Sequence, residues 1–469
     1  MLLLLREVPS ILHRALAGSM PLCIQVTLMS GKSQTIQAES ESSINDLKLK
    51  AEQALGVGIS SLVTMGGDML PLTWSLFQAS IEDGDTLQAT VRPWRLFSSR
   101  ESRAFALLRN DGRVVTWGTD RAGGDSADVY KLLEDVQDIQ CSSGAFAALR
   151  ADRRVVTWGL SALGGDSSSV QDQLKDVKDI QAAHGAFAAI VSSGRVVSWG
   201  EAAWGGDSSA VQAQLCHVRR IYGSGAAFAA VLENGHVVTW GRADSGGDSA
   251  AVQAELVDVQ QVVASGGAFA AILANGRVVT WGSASSGGDS SLVQDQLYDV
   301  RHIVASGAAF AAVLADGRVV TWGDPGCGGD SRAVQPLVHV QQVVASSRAF
   351  AALRSSGDVV AWGDPDLGGD TGVAVTSIHQ IHASGGAFSA VTEDGSVVCW
   401  GSANAGGDCT GVQDQLVNIR QICASCGAFA ALLADGRVVT WGNPKAGGDS
   451  TRVQHQVGLT GWERVDKKK

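Results

Sequence analysis

Acidic side chains in glycine-rich turns are the most regular chemical feature of this sequence. A Gly-Gly-Asp motif occurs nine times, with its carboxylate at Asp125, Asp166, Asp207, Asp248, Asp289, Asp330, Asp370, Asp408 and Asp449. Glycine- and aspartate-rich repeats bind Ca²⁺ in parallel β-rolls, where a period of about nine residues gathers several oxygen ligands on each ion. Here one such aspartate occurs about every 41 residues, which is too sparse for a calcium shell. We therefore expect each carboxylate to accept hydrogen bonds from its own turn.

The remaining reactive side chains show no spacing typical of a catalytic or metal site. Cys423 and Cys426 are the only close cysteine pair among eight cysteines, and no second pair or histidine pair accompanies them, so a zinc site is not expected. The nine histidines, including His184, occupy different places without a triad pattern, and no phosphate-binding P-loop or Gly-x-Ser-x-Gly motif occurs. The sequence predicts a protein that is not an enzyme, with no cofactor and with reduced thiols inside the cell.

Nine aromatic pairs accompany these turns at a constant spacing. A phenylalanine stands twelve residues before each tryptophan, and the aspartate follows eight residues later, beginning with Phe105, Trp117 and Asp125. Successive tryptophans are 41 residues apart, except for one step of 40 and one of 38. Such a repeat is typical of one structural unit that buries its apolar face only by stacking against its neighbours. We expect the phenylalanines and tryptophans to be interior packing residues.

Each repeat predicts a small β-sheet. The stretch "AFAAILANGRVVTW" indicates two strands joined by a type I′ turn at Asn275-Gly276, and a further short strand precedes each phenylalanine. With "SLVQDQL" as a weak outer strand, one repeat holds four strands, which is the usual content of a propeller blade. The predicted fold is an all-β propeller of four-stranded blades, with an open β-solenoid as the alternative.

These repeats resemble those of the regulator of chromosome condensation family. The most specific part is Asp-Gly-Arg-Val-Val-Thr-Trp-Gly, and the resemblance covers about residues 95–455. Repeats of that family usually carry histidine where this chain has phenylalanine, and they are usually longer and sevenfold. Closure therefore stays open between a ring of nine, a ring of seven with extra blades and an open spiral. The resemblance also allows guanine-nucleotide exchange on a small GTPase.

Residues 20–93 contain no repeat and resemble ubiquitin-like domains, which are small α+β (β-grasp) domains. Two strands flank Ser30-Gly31-Lys32, a helix follows Ser42 and Ser43, and the segment ends in "IEDGDTLQATVR". The conjugated members of that family end in Gly-Gly, whereas this chain continues into the repeats, so conjugation is not expected. The resemblance implies a built-in module that binds a receptor of the ubiquitin system through a strand face near Leu62 and Val63. Each of these two residues is also compatible with an ordinary core position.

Composition limits the partners and the location. With a net charge of −11 and a pI near 5.3, the chain lacks the clustered basic residues of a nucleic-acid binder, and no apolar run reaches the length of a membrane span. We expect residues 1–19 to be a disordered or leader segment, 94–458 the propeller, and 459–469 a basic tail. The predicted location is intracellular, chiefly cytoplasmic, with the nucleus as an alternative and an organelle leader left open.

A non-enzymatic scaffold for protein–protein interaction is the predicted function. It would link a partner on the propeller to the ubiquitin system, with nucleotide exchange or substrate recognition for a ubiquitin ligase as alternatives. The non-catalytic part of large HECT-type ubiquitin ligases combines such modules, and since this sequence ends soon after Trp462 we expect no ligase domain.

Two charged faces would bind the partners. The turn before the third strand carries six arginines, which are Arg113, Arg154, Arg195, Arg277, Arg318 and Arg437. The nine aspartates lie after that strand, so we expect an arginine face and an aspartate face at opposite ends of the propeller. Turn residues without any partner are the other interpretation.

Overall fold

Two compact units make up residues 21–457, the part of the chain that the computed structural model describes. The first unit runs to Trp94 and includes Arg109–Gly112, and the second contains Arg95–Leu108 and the chain from Arg113 onward. The predicted leader and basic tail lie outside the described residues. No helix within 21–457 is long and apolar enough to cross a membrane.

The first unit has a ubiquitin-like fold, a four-stranded sheet with one helix. Its elements are β1 Leu22–Leu28, β2 Ser33–Ala38, α1 Ile44–Leu55, β3 Ile59–Thr64 and β4 Thr86–Val91. The strand order is β2-β1-β4-β3, with β1 and β4 parallel and the outer pairs antiparallel. This strand–strand–helix–strand–strand arrangement confirms the β-grasp prediction.

Helix α1 begins where its sequence provides a cap. The Ser43 hydroxyl accepts a hydrogen bond from the backbone N–H of Asp46, and the Asp46 carboxylate accepts one from that of Ser43, which forms a capping box. The helix ends at Gly56, whose φ of 69° is left-handed. Between these ends, helical spacing buries one apolar face against the sheet, namely Ile44, Leu47, Ala51 and Leu55.

The second unit consists of nine three-stranded antiparallel sheets, which we number blades 1 to 9. Blades 1 to 3 are β5 Arg95–Phe97, β6 Ala104–Leu108, β7 Val114–Gly118; β8 Val136–Cys141, β9 Ala145–Arg150, β10 Val155–Gly159; and β11 Val177–Ala182, β12 Ala186–Val191, β13 Val196–Gly200. Blades 4 to 6 are β14 Val218–Gly223, β15 Ala227–Leu232, β16 Val237–Gly241; β17 Val259–Ala264, β18 Ala268–Leu273, β19 Val278–Gly282; and β20 Val300–Ala305, β21 Ala309–Leu314, β22 Val319–Gly323. Blades 7 to 9 are β23 Val340–Ala345, β24 Ala349–Arg354, β25 Val359–Gly363; β26 Ile378–Ala383, β27 Ala387–Thr392, β28 Val397–Gly401; and β29 Ile419–Ala424, β30 Ala428–Leu433, β31 Val438–Gly442.

The predicted fourth strand is wrong, because all nine described sheets have three strands, and in six blades the outer segment bonds to the third strand through a glutamine side chain. In blade 5 this segment contains a single 3-10 turn at Gln294–Gln296. The Gln294 amide Nε2 donates to the carbonyl oxygen of Val278 at 3.0 Å, and the hydroxyls of Ser290 and Thr280 are hydrogen-bonded at 3.0 Å. A side-chain amide thus satisfies the edge of the third strand where a fourth strand would pair.

The predicted type I′ turn between the second and third strands is also wrong. In blade 5 the backbone N–H of Gly276 donates to the carbonyl of Leu273 at 2.9 Å, so three residues form the loop. Gly276 has a left-handed φ of 75°, whereas Asn275 is not among the described residues with positive φ. This is a type I turn followed by a left-handed glycine, the usual three-residue hairpin loop.

One contact, repeated in every blade, joins each sheet to the one before it. Each phenylalanine and its tryptophan are cross-strand partners whose rings stack with centroids 5.1–5.3 Å apart. In blade 5 the indole Nε1 of Trp281 donates to the carbonyl oxygen of Gly246 in blade 4 at 3.0 Å. A Cβ on Gly246 would lie 2.5 Å from Cδ2 of Phe269, so glycine is required there. These residues confirm the predicted interior packing.

The same contact closes the ring. Blade 9 meets blade 1, since Trp117 Nε1 donates to the carbonyl oxygen of Gly447 at 3.1 Å, and a Cβ on Gly447 would lie 2.5 Å from Cδ2 of Phe105. The Gln421 side chain exchanges two further hydrogen bonds with the backbone of Leu96, at 2.9 and 3.0 Å. The second unit is therefore a closed nine-bladed propeller, and the solenoid, spiral and sevenfold alternatives are wrong.

Trp281→Ala should destabilise the propeller by about 3–5 kcal/mol, because it removes a buried aromatic side chain together with a bond to the neighbouring blade. A thermal melt should show a clearly lower midpoint for this variant. Leu292→Ala is the control, since Leu292 is 97% exposed. A Trp281→Ala melt that overlays the control would contradict the assigned packing.

Candidate protein-binding site at the centre of the ring

Blade 1 departs from the other blades in the turn between its first two strands. Phe97 pairs with Ala106 across eight intervening residues, whereas Gln140 pairs with Ala147 in blade 2 across six. The longer turn contains Arg100 and Glu101. Blade 1 therefore contributes two extra residues at the inner end of its turn.

Arg100 reaches across the interior of the ring. Its guanidinium Nη1 donates to the carbonyl oxygen of Ala305 at 2.5 Å and Nη2 to that of Ser306 at 3.2 Å, both in blade 6. Because consecutive blades are neighbours in the ring, blades 1 and 6 lie on opposite sides, and the side chain bridges the centre. Burial lowers the pKa of Arg100 while the Glu101 charge opposes that shift, and an arginine in this setting stays protonated.

Glu101 is paired with a histidine two blades away. Its Oε2 lies 2.9 Å from Nδ1 of His184, and the two side chains are half-buried, at 37% and 41% exposure. The hydrogen bond that its ring donates to the Glu101 carboxylate raises the pKa of His184, against the effect of burial. Burial opposes ionisation of Glu101, but His184 and Arg100 together hold its pKa below the ordinary value. Both shifts favour the charged forms, an imidazolium beside a carboxylate.

Trp204 completes this cluster. Its indole meets the His184 ring edge-on, with centroids 5.4 Å apart, and it packs so closely on Gly185 that a Cβ there would lie 2.5 Å from Cε3. Trp204 is partly exposed, and it is the one tryptophan of the described propeller outside the Phe–Trp pairs. We call Arg100, Glu101, His184 and Trp204 the central cluster.

A cavity of about 160 Å³ lies beside the central cluster. Small residues at the inner ends of blades 2 to 5 line it together with Arg100 and Glu101, including Ala182, Gly223 and Ala264. Burial raises the pKa of the Cys141 thiol in its wall to about 12, so this thiol is protonated and a poor nucleophile. Small-molecule pockets usually measure about 300–1,000 Å³, so this space matches one inserted side chain better than a metabolite.

Sequence reasoning missed the central cluster for a definite reason. Aligning the repeats on phenylalanine and tryptophan leaves out the turn ahead of Phe105, where the two extra residues stand. The nine histidines share no repeat position, so His184 does not stand out among them. The available signals were the long turn "SSRES" of blade 1 and the tryptophan at position 204, outside the constant spacing.

The nine predicted aspartates lie in turns and act as turn caps. Each accepts through Oδ1 a hydrogen bond from the backbone N–H two residues later, at 2.8–2.9 Å. At Asp330 the Arg332 side chain lowers the carboxyl pKa to about 2. This bonding confirms the turn interpretation of the carboxylates. Their role as a binding face stays a prediction.

The six predicted arginines lie in or beside the turns before the third strands, but acidic residues accompany them. Ion pairs join Arg113 to Glu134 at 3.4 Å, Arg318 to Asp316 at 2.5 Å and Arg437 to Asp435 at 2.7 Å. The three other arginines occupy the corresponding places in blades 2, 3 and 5, namely Arg154, Arg195 and Arg277. Neighbouring carboxylates weaken the positive potential of this end, and an arginine binding face stays a prediction.

The two residues predicted in the ubiquitin-like unit face opposite sides of its sheet. Leu62 is fully buried in the core and is not available to a receptor. Val63 is partly exposed and pairs with Gln88, which in turn pairs with Thr27. Only Val63 of the two belongs to an outer strand face.

The imidazole of His184 should titrate above the ordinary histidine pKa of about 6.5, because the Glu101 carboxylate stabilises its charged form. The stabilisation from this pair is complete below that value and is lost as pH rises through the raised pKa; it is also lost in acid as Glu101 is protonated. NMR titration of the ring nitrogens measures the midpoint. Glu101→Gln should lower it, and His382, whose pKa burial lowers to about 4, is the internal reference. Equal His184 midpoints in both proteins would contradict the pair.

No protein-family model and no curated protein matches the chain. It is similar to the solved structure of Prp20p from Saccharomyces cerevisiae, described with its binding to Gsp1p and histones, at 16% identity over 68% of this chain and 83% of that chain, with a TM-score of 0.37. The chain is also similar to the CRINKLY WD40 ectodomain of the Arabidopsis thaliana receptor kinase ACR4, at 17% identity over 56% of this chain and 96% of that chain, with a TM-score of 0.33. The UBL domain of Plasmodium falciparum Dsk2 is 21% identical over 15% of this chain and 96% of its own, with a TM-score of 0.14. At these TM-scores the propeller and ubiquitin-like assignments rest on the strand order and ring closure described above.

Proposed function

We propose that this chain is a non-enzymatic scaffold that binds a protein partner at the central cluster of its propeller. The observation that carries the proposal is the convergence of non-repeated side chains at one place. Arginine and tryptophan are the side chains most enriched at the energetic centres of protein interfaces. In this ring they stand beside a half-buried ion pair and a cavity that accepts one side chain.

The physical chemistry of the cluster favours binding over catalysis. Arg100 is held by two backbone carbonyls, which makes it a rigid positive group. The Glu101–His184 pair offers a carboxylate and an imidazole to an incoming polar side chain, and the exposed part of Trp204 offers apolar contact at low entropic loss. The nearby thiol is held in its unreactive form.

The ubiquitin-like unit supplies the second half of the proposal, a link to the ubiquitin system. Its outer strand face carries Val63 in one row with Gln88 and Thr27. A small, partly exposed apolar residue on the edge strand of a polar sheet face suits a weak, reversible receptor contact. In this arrangement the propeller holds the client and the ubiquitin-like unit brings the receptor.

The central cluster is tested by the recovery of bound proteins. Trp204→Ala and Glu101→Gln should both reduce the recovery of one and the same protein by quantitative mass spectrometry, whereas Leu292→Ala should not. With that protein purified, Trp204→Ala should weaken binding about tenfold or more in calorimetry, as for an interface centre. Identical recovery from all four chains would exclude the site. Accelerated nucleotide release from a small GTPase would instead establish exchange activity.

The receptor contact is tested separately. Val63→Asp in the full chain should abolish binding to an immobilised ubiquitin-associated domain, because a carboxylate would replace the apolar contact. Gln53→Asp is the matched control, since Gln53 is exposed on helix α1, which packs on the other face of the sheet. Absence of binding by the unaltered chain, or equal binding by both variants, would rule out this link and leave the propeller site unaffected.

A further inference from the structure

A hydrogen-bonded pair of hydroxyl groups recurs in seven of the nine blades. It joins the third strand to the residue that follows Gly-Gly-Asp, with oxygens 2.7–3.1 Å apart. The pairs are Thr116–Ser126, Thr157–Ser167, Ser198–Ser208, Thr239–Ser249, Thr280–Ser290, Thr321–Ser331 and Thr440–Ser450. Blade 7 has Ala361 and Thr371 instead, so a blade forms without two hydroxyls.

Blade 8 replaces both hydroxyls with thiols. Cys399 stands on β28 and Cys409 follows Gly-Gly-Asp, at the two positions that are in contact in the other blades. Both thiols are free, and each shifts the pKa of the other, as expected of side chains that lie close together. The Cys409 Sγ also donates to Oε1 of Gln413 at 3.5 Å. Two Oγ atoms about 3 Å apart are compatible with the Cβ separation of about 3.5–4.5 Å that a disulfide needs. The frame of the blade therefore holds the two sulfurs ready for a bond.

A third substitution lies at the same place. Ser389 is the direct cross-strand partner of Cys399, and the corresponding residue is alanine in the eight other blades. Its hydroxyl is fully buried and meets no hydrogen-bond geometry with the described residues, but it lies close enough to Cys399 to lower the pKa of that thiol. An unsatisfied buried hydroxyl is destabilising, so this serine is not explained by packing. Beside Cys399, the hydroxyl can donate to a thiolate or to an oxidised sulfur.

Contact between the thiols also separates their acidities. The hydrogen bond with Cys399 lowers the pKa of the Cys409 thiol, and the same contact raises that of Cys399. Cys409 is buried, whereas Cys399 is partly exposed. A small oxidant thus meets a pair in which one sulfur ionises more readily and the other still holds its proton.

We propose that Cys399 and Cys409 are a reversible oxidation site that forms a disulfide inside blade 8, with a hydroperoxide as the oxidant. The Cys409 thiolate attacks the peroxide oxygen, the O–O bond breaks, and a sulfenic acid and hydroxide form; the hydroxide takes up the proton that Cys409 released. The Cys399 sulfur then attacks the sulfenic sulfur, the S–S bond forms, and the hydroxyl leaves with the Cys399 proton as water. For hydrogen peroxide the balance is two thiols and one peroxide to one disulfide and two waters. A dithiol reverses the bond by exchange.

The test uses the full chain and a protease that cleaves before aspartate. Cleavage at Asp394, Asp408 and Asp414 places Cys399 and Cys409 on separate peptides, which only a disulfide can join. After limited hydrogen peroxide, alkylation of free thiols and digestion, mass spectrometry should show the joined peptides, and prior reduction with dithiothreitol should abolish them. Cys423 should stay reduced during the peroxide step and be recovered as an alkylated thiol after denaturation, since burial raises its thiol pKa to about 12.

The double variant Cys399→Thr, Cys409→Ser is the matched control, because it restores the hydroxyl pair of seven blades and is expected to fold. It should lose the joined peptides and leave every other cysteine as in the unaltered chain. Ser389→Ala should slow disulfide formation severalfold at neutral pH without changing the product. The proposal is overturned if Cys399 and Cys409 are both fully alkylated at a peroxide dose that oxidises the exposed Cys216, or if either cysteine joins a different partner.

Discussion

The contact of a stacked phenylalanine and tryptophan with a glycine of the preceding blade is the constraint on which the propeller depends. The two rings cover each other across adjacent strands, while the indole N–H bonds to the glycine carbonyl that lies against them. Apolar burial and a satisfied polar group are thus combined in one contact. Since the glycine belongs to the neighbouring blade, no sheet completes its core alone, and only a closed ring leaves no blade without a partner.

This constraint leaves other positions free to change. Once the Phe–Trp–Gly contact holds each blade, a turn on the inner side can lengthen, as in blade 1, without disturbing the sheets. Blade 7 shows the same tolerance, since it forms without the hydroxyl pair. Departures from the repeat therefore carry information about function, because the frame does not need them. Two groups of departures are each gathered at one place. The first is the central cluster, and the second is the two thiols with Ser389 in blade 8.

The aspartates and arginines of the repeated turns bind mainly to groups in their own turns. The Gly-Gly-Asp carboxylates bond to their own turns, and several arginines pair with acids on the same hairpin. Exposed pairs of this kind contribute little to stability and weaken long-range attraction. The ion pair between Glu101 and His184 differs because it is half-buried and joins side chains from blades 1 and 3, so its geometry is set by the ring.

Local patterns in the sequence determined the units, the helix cap at Ser43, the hairpins and the interior role of Phe269 and Trp281, because each depends on neighbouring residues or on a period that repetition makes visible. The number of strands per blade was not predictable, since "SLVQDQL" alternates like a strand, and only in the folded blade does the Gln294 side chain bind the strand edge. Closure was decided by tertiary structure, because the small rotation between blades that brings Gly447 onto Phe105 is set by packing and not by any single residue. The central cluster also depends on that closure. Arg100 and Ala305 are 205 positions apart in the chain, and only a ring of this size brings a guanidinium within hydrogen-bonding distance of that carbonyl.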